Sequence, residues 1–244
     1  ADMMLGAVTG GPRNDATEPD ELGDAVMAAY SFQIDLNTSF TGEDSLDISL
    51  DAGTSDQVGT AEFDGNTGGD GLTVDGVSYT FPLGDKTTVI AGIDTDGSAL
   101  FTTSCVYGGP GNLLDDCANV NAGITGGGAT IGAAYDFENG LTAAFGAQTT
   151  EASVFTEESG DAYAFNAAYT ADDYGVSLTY GVVEAVDAND ALTDEEDKFT
   201  AINAYYTPDA EGMPSISVGY ETGDLGGAAD AADEQASFMV GLTW

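Results

Sequence analysis

The side chains able to do chemistry in this sequence are overwhelmingly carboxylates. There are 43 Asp+Glu against three Lys+Arg, and there is no histidine. Without histidine, Ser-His and Cys-His activation and most zinc catalysis are excluded. Acids are so common that no pair stands out as a glycosidase dyad. No nucleophile–base pair is visible, so the chain reads as a non-enzyme. Three acidic stretches could offer oxygen ligands to calcium: EFDGNTGGDG (62–71), DTDGS (94–98) and DANDALTDEED (187–197). Asp64, Asn66, Asp70, Asp187, Asn189 and Asp194 are the weak calcium candidates there, since the spacing ending in a bidentate Glu that an EF-hand needs is missing. Solvated acidic loops explain the same pattern, so no firm metal site and no cofactor follow.

Cys105 and Cys117 are the only cysteines, in the loop CVYGGPGNLLDDC. Two thiols without histidine make a poor zinc site. A disulfide fits this Gly/Pro-containing loop and implies an oxidising compartment; two free buried cysteines are the alternative. By chain entropy such a short closure contributes about 3 kcal/mol at most.

A formal net charge of −40 excludes nucleic-acid binding, which needs a basic footprint, and docking on anionic lipid surfaces. The 42% hydrophobic fraction, with 11 Tyr and 11 Phe, argues against the disorder that such acidity otherwise suggests. No apolar run approaches the ~18 residues of a transmembrane helix. The opening ADMMLGAV has no basic n-region, which suggests a mature form or a fragment. The 34 glycines suit a protein of turns and small-residue strands.

The elements that must position these groups are strands, because period-2 alternation recurs from end to end. Tyr30, Phe32, Ile34, Leu36 and Phe40 share one parity; Gln33, Asp35 and Asn37 share the other. Leu46, Ile48 and Leu50 oppose Asp47, Ser49 and Asp51. Val77, Tyr79 and Phe81 lead into PLGDK, and Val89, Ala91 and Ile93 lead out. Ile131, Tyr135, Leu141 and Phe145 flank ENG; Tyr163, Phe165, Val176 and Leu178 flank ADDYG; Ile202, Tyr206, Ile216 and Val218 flank PDAEGMP. With MMLGAVTG at the start and ASFMVGLTW at the end, about twelve strands are predicted within one domain, 1–244.

Connections alternate between short turns and long acidic Gly-rich loops at 11–24, 54–71, 97–127, 150–160, 184–197 and 222–234. That is the pattern of an antiparallel transmembrane β-barrel, with short periplasmic turns and long acidic outer loops. Alternation itself is compatible with two arrangements. A soluble sandwich puts the apolar parity inside; a membrane barrel faces it to lipid around a wet, polar lumen. Aromatic placement favours the barrel: Phe40, Phe81, Phe137, Tyr169, Tyr206 and Trp244 lie on the apolar parity at short-turn ends, as an interfacial girdle requires.

On this reading Gln33, Asp35, Asn37, Asp47, Asp51, Asp94 and Glu221 are pore-lining candidates, with Thr88, Gln148, Asn166, Ser177, Thr179, Asn203 and Ser217 on the same parity. The cations Arg13, Lys86 and Lys198 lie in loops or at strand ends. Carboxylates without cationic partners concentrate cations in a channel. Segment 97–127 is the best candidate for a constriction.

Three stretches carry a family resemblance. FQIDLNTSFTGEDSLDISLDAGTS (32–55), VSYTFPLGDKTTVIAG (77–92) and GGGATIGAAYDFENGLTAAFGAQ (126–148) resemble, in the same order, segments of cyanobacterial outer-membrane porins of the carbohydrate-porin-like, iron-uptake type. The resemblance spans about half of residues 30–180. It implies an outer-membrane barrel, often a homotrimer, taking up small solutes and inorganic ions, iron among them. The family's N-terminal S-layer-homology module and coiled coil have no counterpart in the sequence, and its barrels are larger. The terminal strand ending on Trp244 resembles the assembly signal of outer-membrane barrels and is expected to close against MMLGAVTG. The sequence therefore predicts an outer-membrane porin for passive diffusion of small hydrophilic solutes and ions, cation-preferring and in contact with outer-membrane lipid. The alternative is a secreted or surface-assembled acidic β protein, a filament or adhesin subunit with divalent-bridged loops.

Overall fold

The computed structural model describes residues 2–6, 27–53, 69–107, 116–125, 127–149, 154, 160–186, 192–226 and 234–244. These form twelve strands: β1 (Asp2–Gly6), β2 (Met27–Thr38), β3 (Ser45–Gly53), β4 (Gly69–Pro82), β5 (Thr87–Ile93), β6 (Ala129–Asp136), β7 (Leu141–Thr149), β8 (Asp161–Thr170), β9 (Tyr174–Val186), β10 (Leu192–Tyr206), β11 (Ser215–Leu225) and β12 (Glu234–Thr243). Each pairs antiparallel with its sequence neighbours in a single up-and-down sheet, with β1 and β12 at the two edges. The expected pairing of the last strand with the first is thus not part of the described sheet. No helix of the described residues is long and apolar enough to cross a membrane, which leaves strands untouched.

The short turns work as the sequence suggests. Gly42 and Gly84, at φ 89° and 76°, take the left-handed backbone that reverses the β2–β3 and β4–β5 hairpins. Several strands run further into the acidic segments than periodicity predicts. β4 begins at Gly69, and β9 and β10 extend to Val186 and from Leu192. Backbone pairing carries them: Glu196 faces Glu184, and Lys198 faces Asp224, so side-chain polarity does not end the ladder.

One irregularity matters later. Leu50 pairs with Val74 and Ser49 with Gly76, which leaves Asp75 unopposed as a bulge in β4. The bulge resets the alternation. Leu72 and Val74 are exposed on the same face that Val77, Tyr79 and Phe81 occupy beyond it.

Burial is inside-out by the standard of a soluble fold. Phe145, Phe165, Leu178, Ile202, Val218 and Val240 are exposed, while Asn166, Ser177, Thr179, Asn203 and Ser217 are buried. Phe165 and Ile202 are each 52% exposed and Asn203 is 0%. From β6 to β12 the polar parity is covered by the described residues of the β5–β6 connection (94–107, 116–125, 127 and 128), which pack across the sheet; we call these residues the insert and the polar side of the sheet the inner face. The small apolar clusters lie at this contact. Cys117, Ala118 and Met239 meet Cys105 and Tyr107, and Ala122 meets Phe199 and Ala201.

Candidate functional site

The inner face has two unlike halves. From β6 to β12 it is made of small and hydroxyl-bearing residues, and the insert fills it. Gly146 and Gly219 have no room for a side chain, because a Cβ would overlap the backbone of Gly97 or Cys117. At Gly181 a Cβ would come within 2.9 Å of the Ala122 carbonyl. The missing side chains form a shallow bed in which the insert backbone lies.

Wall side chains then satisfy that backbone. Thr102 N donates to Asn166 Oδ1 at 3.0 Å, Ser104 N to Ser177 Oγ at 2.9 Å and Val106 N to Ser217 Oγ at 3.0 Å. These alternate residues of an extended limb meet strands β8, β9 and β11 in turn. The return limb is held by Asn203 Nδ2, which donates to the Cys117 carbonyl, and by Glu221. Glu221 Oε2 accepts from Asn121 N at 3.0 Å and Ala122 N at 2.8 Å, and Oε1 accepts from Asn121 Nδ2 at 2.9 Å. Thr130 Oγ1 and Gln148 Nε2 both donate to the Thr95 carbonyl. Buried polar groups need partners of this kind, and each such bond contributes about 1 kcal/mol net, more where one partner is charged. Cys105 and Cys117 are joined in a disulfide with Cα atoms 6.1 Å apart, stapling the two limbs.

The other half, lined mainly by β2, β3 and β4, stays open. A cavity of about 770 Å³ is bounded by Gln33, Asp35, Asp47, Ser49, Asp51, Thr73, Asp75 and Ser78 of the wall and by Asp94, Thr95, Asp96 and Gly127 of the insert. Among the described residues no Lys or Arg lines it. Its carboxylates are braced by neutral donors: Gln33 Nε2 and Ser49 Oγ to Asp35 at 2.8 and 2.9 Å, Ser45 Oγ to Asp47 at 2.6 Å, and Thr73 Oγ1 to Asp51 at 2.9 Å. Asp94 starts the insert at φ 49° and accepts from Gly128 N at 3.1 Å, closing the neck where the insert leaves and rejoins the sheet.

Of the seven lining candidates, Gln33, Asp35, Asp47, Asp51 and Asp94 border the cavity. Asn37 lies toward the short-turn rim and bonds Ser45 and Asp47. Glu221 is corrected. It is 3% exposed and sealed beneath the insert, whose Asn121 and Ala122 backbone amides donate to it in place of water. Thr130, Gln148, Asn166, Ser177, Asn203 and Ser217 are likewise wall anchors, not water-facing groups.

Asp75 and Asp96 were missed. Asp75 was hidden by the bulge, whose only signal is the parity break between Val74 and Val77; Asp96 lies beyond the last alternating residue of β5.

The two cations among the described residues stand away from the cavity. Lys86 pairs with Glu138 at 2.6 Å between two short turns, and Lys198 with Glu196 at 3.3 Å; Arg13 lies outside the described residues. Phe40, Phe81, Phe137, Tyr169, Tyr206 and Trp244 sit at the short-turn ends of β2, β4, β6, β8, β10 and β12, and Trp244 is 82% exposed. Of the calcium candidates, Asp64, Asn66, Asp187 and Asn189 fall outside the described residues. Asp70 and Asp194 lie in β4 and β10, with side chains outside the description. Among the described residues no three His, Cys, Asp or Glu converge closely enough to hold a metal ion.

No protein-family model and no curated protein matches this chain. Among solved structures, it is similar to the outer membrane channel DcaP of Acinetobacter baumannii at 12% identity and a TM-score of 0.47, over 98% of this chain and 82% of that one. A likeness of that degree carries no functional conclusion.

Proposed function

We propose that the chain is an outer-membrane diffusion channel whose twelve strands close, β12 on β1, into a barrel with the apolar parity in lipid. One observation carries the reading: large apolar side chains occupy the outer face of most strands while Asn, Ser, Thr and Glu are buried inside. In water such a face would be an exposed apolar patch far beyond the few hundred Å² that soluble monomers tolerate. In a bilayer it is the lowest-energy arrangement. The six aromatic residues at the short-turn rim then stand at one membrane–water interface, where amphipathic rings are favoured.

The path for solute is the open half of the lumen. Asp35, Asp47, Asp51, Asp75, Asp94 and Asp96 give that path a negative potential, with no opposing cation among the described residues of its lining. Fields of one sign between low-dielectric walls concentrate counter-ions. The passage is therefore passive, takes small hydrophilic solutes and prefers cations. It includes no catalytic step and no cofactor. The homotrimer and the ion or sugar cargo implied by the family resemblance belong to this proposal.

A second reading draws on β1 and β12 being sheet edges: copies could join edge to edge as a surface filament. The outward apolar face opposes it, since a filament in water would leave that face wet. Planar-bilayer recording of purified protein separates the two. Stepwise conductance with potassium favoured over chloride is expected. Absence of steps, or preference for chloride, sinks the cation-channel reading. A detergent-free soluble particle would favour the filament.

A further inference from the structure

The wall that receives the insert treats its two limbs differently. The outgoing limb, Thr102 to Val106, is held by neutral side chains alone: Asn166 bonds both N and O of Thr102, Ser177 bonds Ser104 N, and Ser217 and Thr243 bond N and O of Val106. On the return limb, Asn121 and Ala122 meet Glu221, the charged member of the set, which accepts three hydrogen bonds. Ala122 is fully buried against Phe199 and Ala201 at the same point. From there the chain runs through Ile124, buried near Gly97, to Gly127 and Gly128 at the rim of the acidic cavity. Gly128 N bonds Asp94. The return limb is therefore pinned at β11 and ends on a carboxylate of the open path.

We propose, on the channel reading above, that Glu221 is a positioning residue for conduction: it clamps the return limb against β11 and so keeps the insert out of the acidic cavity. The wall lies behind the limb, so a loosened limb can move only toward the lumen. Carboxylate chemistry suits the task. Two adjacent backbone amides converge on this side chain, and an ionised carboxylate is the side chain that accepts several bonds at once. Both backbone amides share Oε2, so a neutral amide oxygen there would meet them without the charge and would leave no acceptor in the place of Oε1 for the Asn121 side chain.

Single-channel recording tests this. Glu221→Ala is expected to conduct at the wild-type fully open level but to close roughly tenfold more often, as loss of charge-assisted anchoring dictates. Glu221→Gln, with one acceptor oxygen, is expected to fall between. Asn121→Ala, which removes only the side-chain donor, is expected to increase closures less. An unchanged open level separates this role from general weakening of the barrel, which would lower yield of channels without adding brief closures. Wild-type closure frequency in Glu221→Ala overturns the proposal. Should that variant fail to assemble, wild-type closure frequency in both Glu221→Gln and Asn121→Ala overturns it equally. A wild-type protein that never conducts overturns the channel reading, and this proposal with it.

Discussion

The Tyr79 hydroxyl on β4 donates a 2.6 Å hydrogen bond to Oδ2 of Asp44, in the turn between β2 and β3. The same carboxylate accepts from Ser39 Oγ at 2.6 Å, from Thr41 Oγ1 at 2.7 Å, and from the backbone of Phe40 and Thr41. One buried acid thus ties three strands together at the short-turn rim.

Those bonds, led by Ser39 and followed by Tyr79 and Thr41, hold the Asp44 carboxyl well below the usual carboxylate range. A depressed folded-state pKa gives stability that is complete above the unfolded value, about 4, and is lost as pH falls toward the folded one. Urea midpoints in detergent should therefore show wild type more stable than Asp44→Asn at neutral pH, with the gap shrinking from about pH 4 downward. Tyr79→Phe should lower the midpoint in the same direction by a smaller amount. A gap that stays constant from about pH 7 to about pH 2 would show that the carboxylate does not hold the turn.

Replacing both cysteines, Cys105→Ser with Cys117→Ser, should loosen the insert and leave the sheet intact. The bridge spans 12 residues, so the chain-entropy contribution is at most about 3 kcal/mol. Hydrogen exchange should quicken at Ser104, Val106 and Ala122 while β7 to β9 stay protected. Equal protection of the insert with and without the bridge would show that wall bonds alone hold it.

The bed of the insert can be tested from the wall side. Gly219→Ala places a methyl group into the Cys117 carbonyl, so the insert must lift or the strand must shift. Overpacking of this kind costs about 1–3 kcal/mol. A lower unfolding midpoint is expected. Gly42→Ala, by contrast, meets open space and is strained only through its φ of 89°. A Gly219→Ala midpoint equal to wild type would mean the insert does not lie on β11.

Selectivity should reside in the open half. Asp75→Asn, Asp94→Asn and Asp96→Asn together remove three of the lining charges without changing side-chain volume. The reversal potential across a potassium chloride gradient should move toward zero, most at low ionic strength, where screening is weakest. Neutralising Glu196 and Glu234, exposed acids away from the cavity, should move it little. If both sets act alike, net surface charge and not the lining sets selectivity.

The strand order and the two parities were legible because alternation is a local signal: Phe32, Ile34 and Leu36 announce their shared face without knowledge of any partner. Alternation does not tell which face is inside, since a sandwich and a barrel write the same pattern; aromatic placement at the short-turn ends favours the barrel, and the buried Asn203 beside the exposed Ile202 agrees with that choice. Asp35, Asp47 and Asp51 could be placed by the same parity. Asp75 could not, because a bulge depends on what β3 does opposite it. Glu221 was assigned to the right face and the wrong environment. Its cover comes from Asn121 and Ala122, 100 and 99 positions away, and no local pattern encodes that return.

Ile202 and Asn203 are neighbours in β10 with opposite fates, one exposed on the outer face and the other buried beneath the insert, and together they test which face meets lipid. Ile202→Arg puts a charge on the outer face. In a bilayer that costs about 2–4 kcal/mol near the midplane; on a water-exposed surface it costs close to nothing. Folding into lipid vesicles should therefore be sharply impaired for Ile202→Arg, and insensitivity would remove the membrane reading. Asn203→Leu tests the inner side. It takes away the donor to the Cys117 carbonyl and should release the insert while insertion into vesicles proceeds, since no lipid contact is lost. If instead Asn203→Leu blocks insertion and Ile202→Arg does not, the assignment of inner and outer faces is reversed, and the cavity lined by Asp35 and Asp75 would lie on the outside.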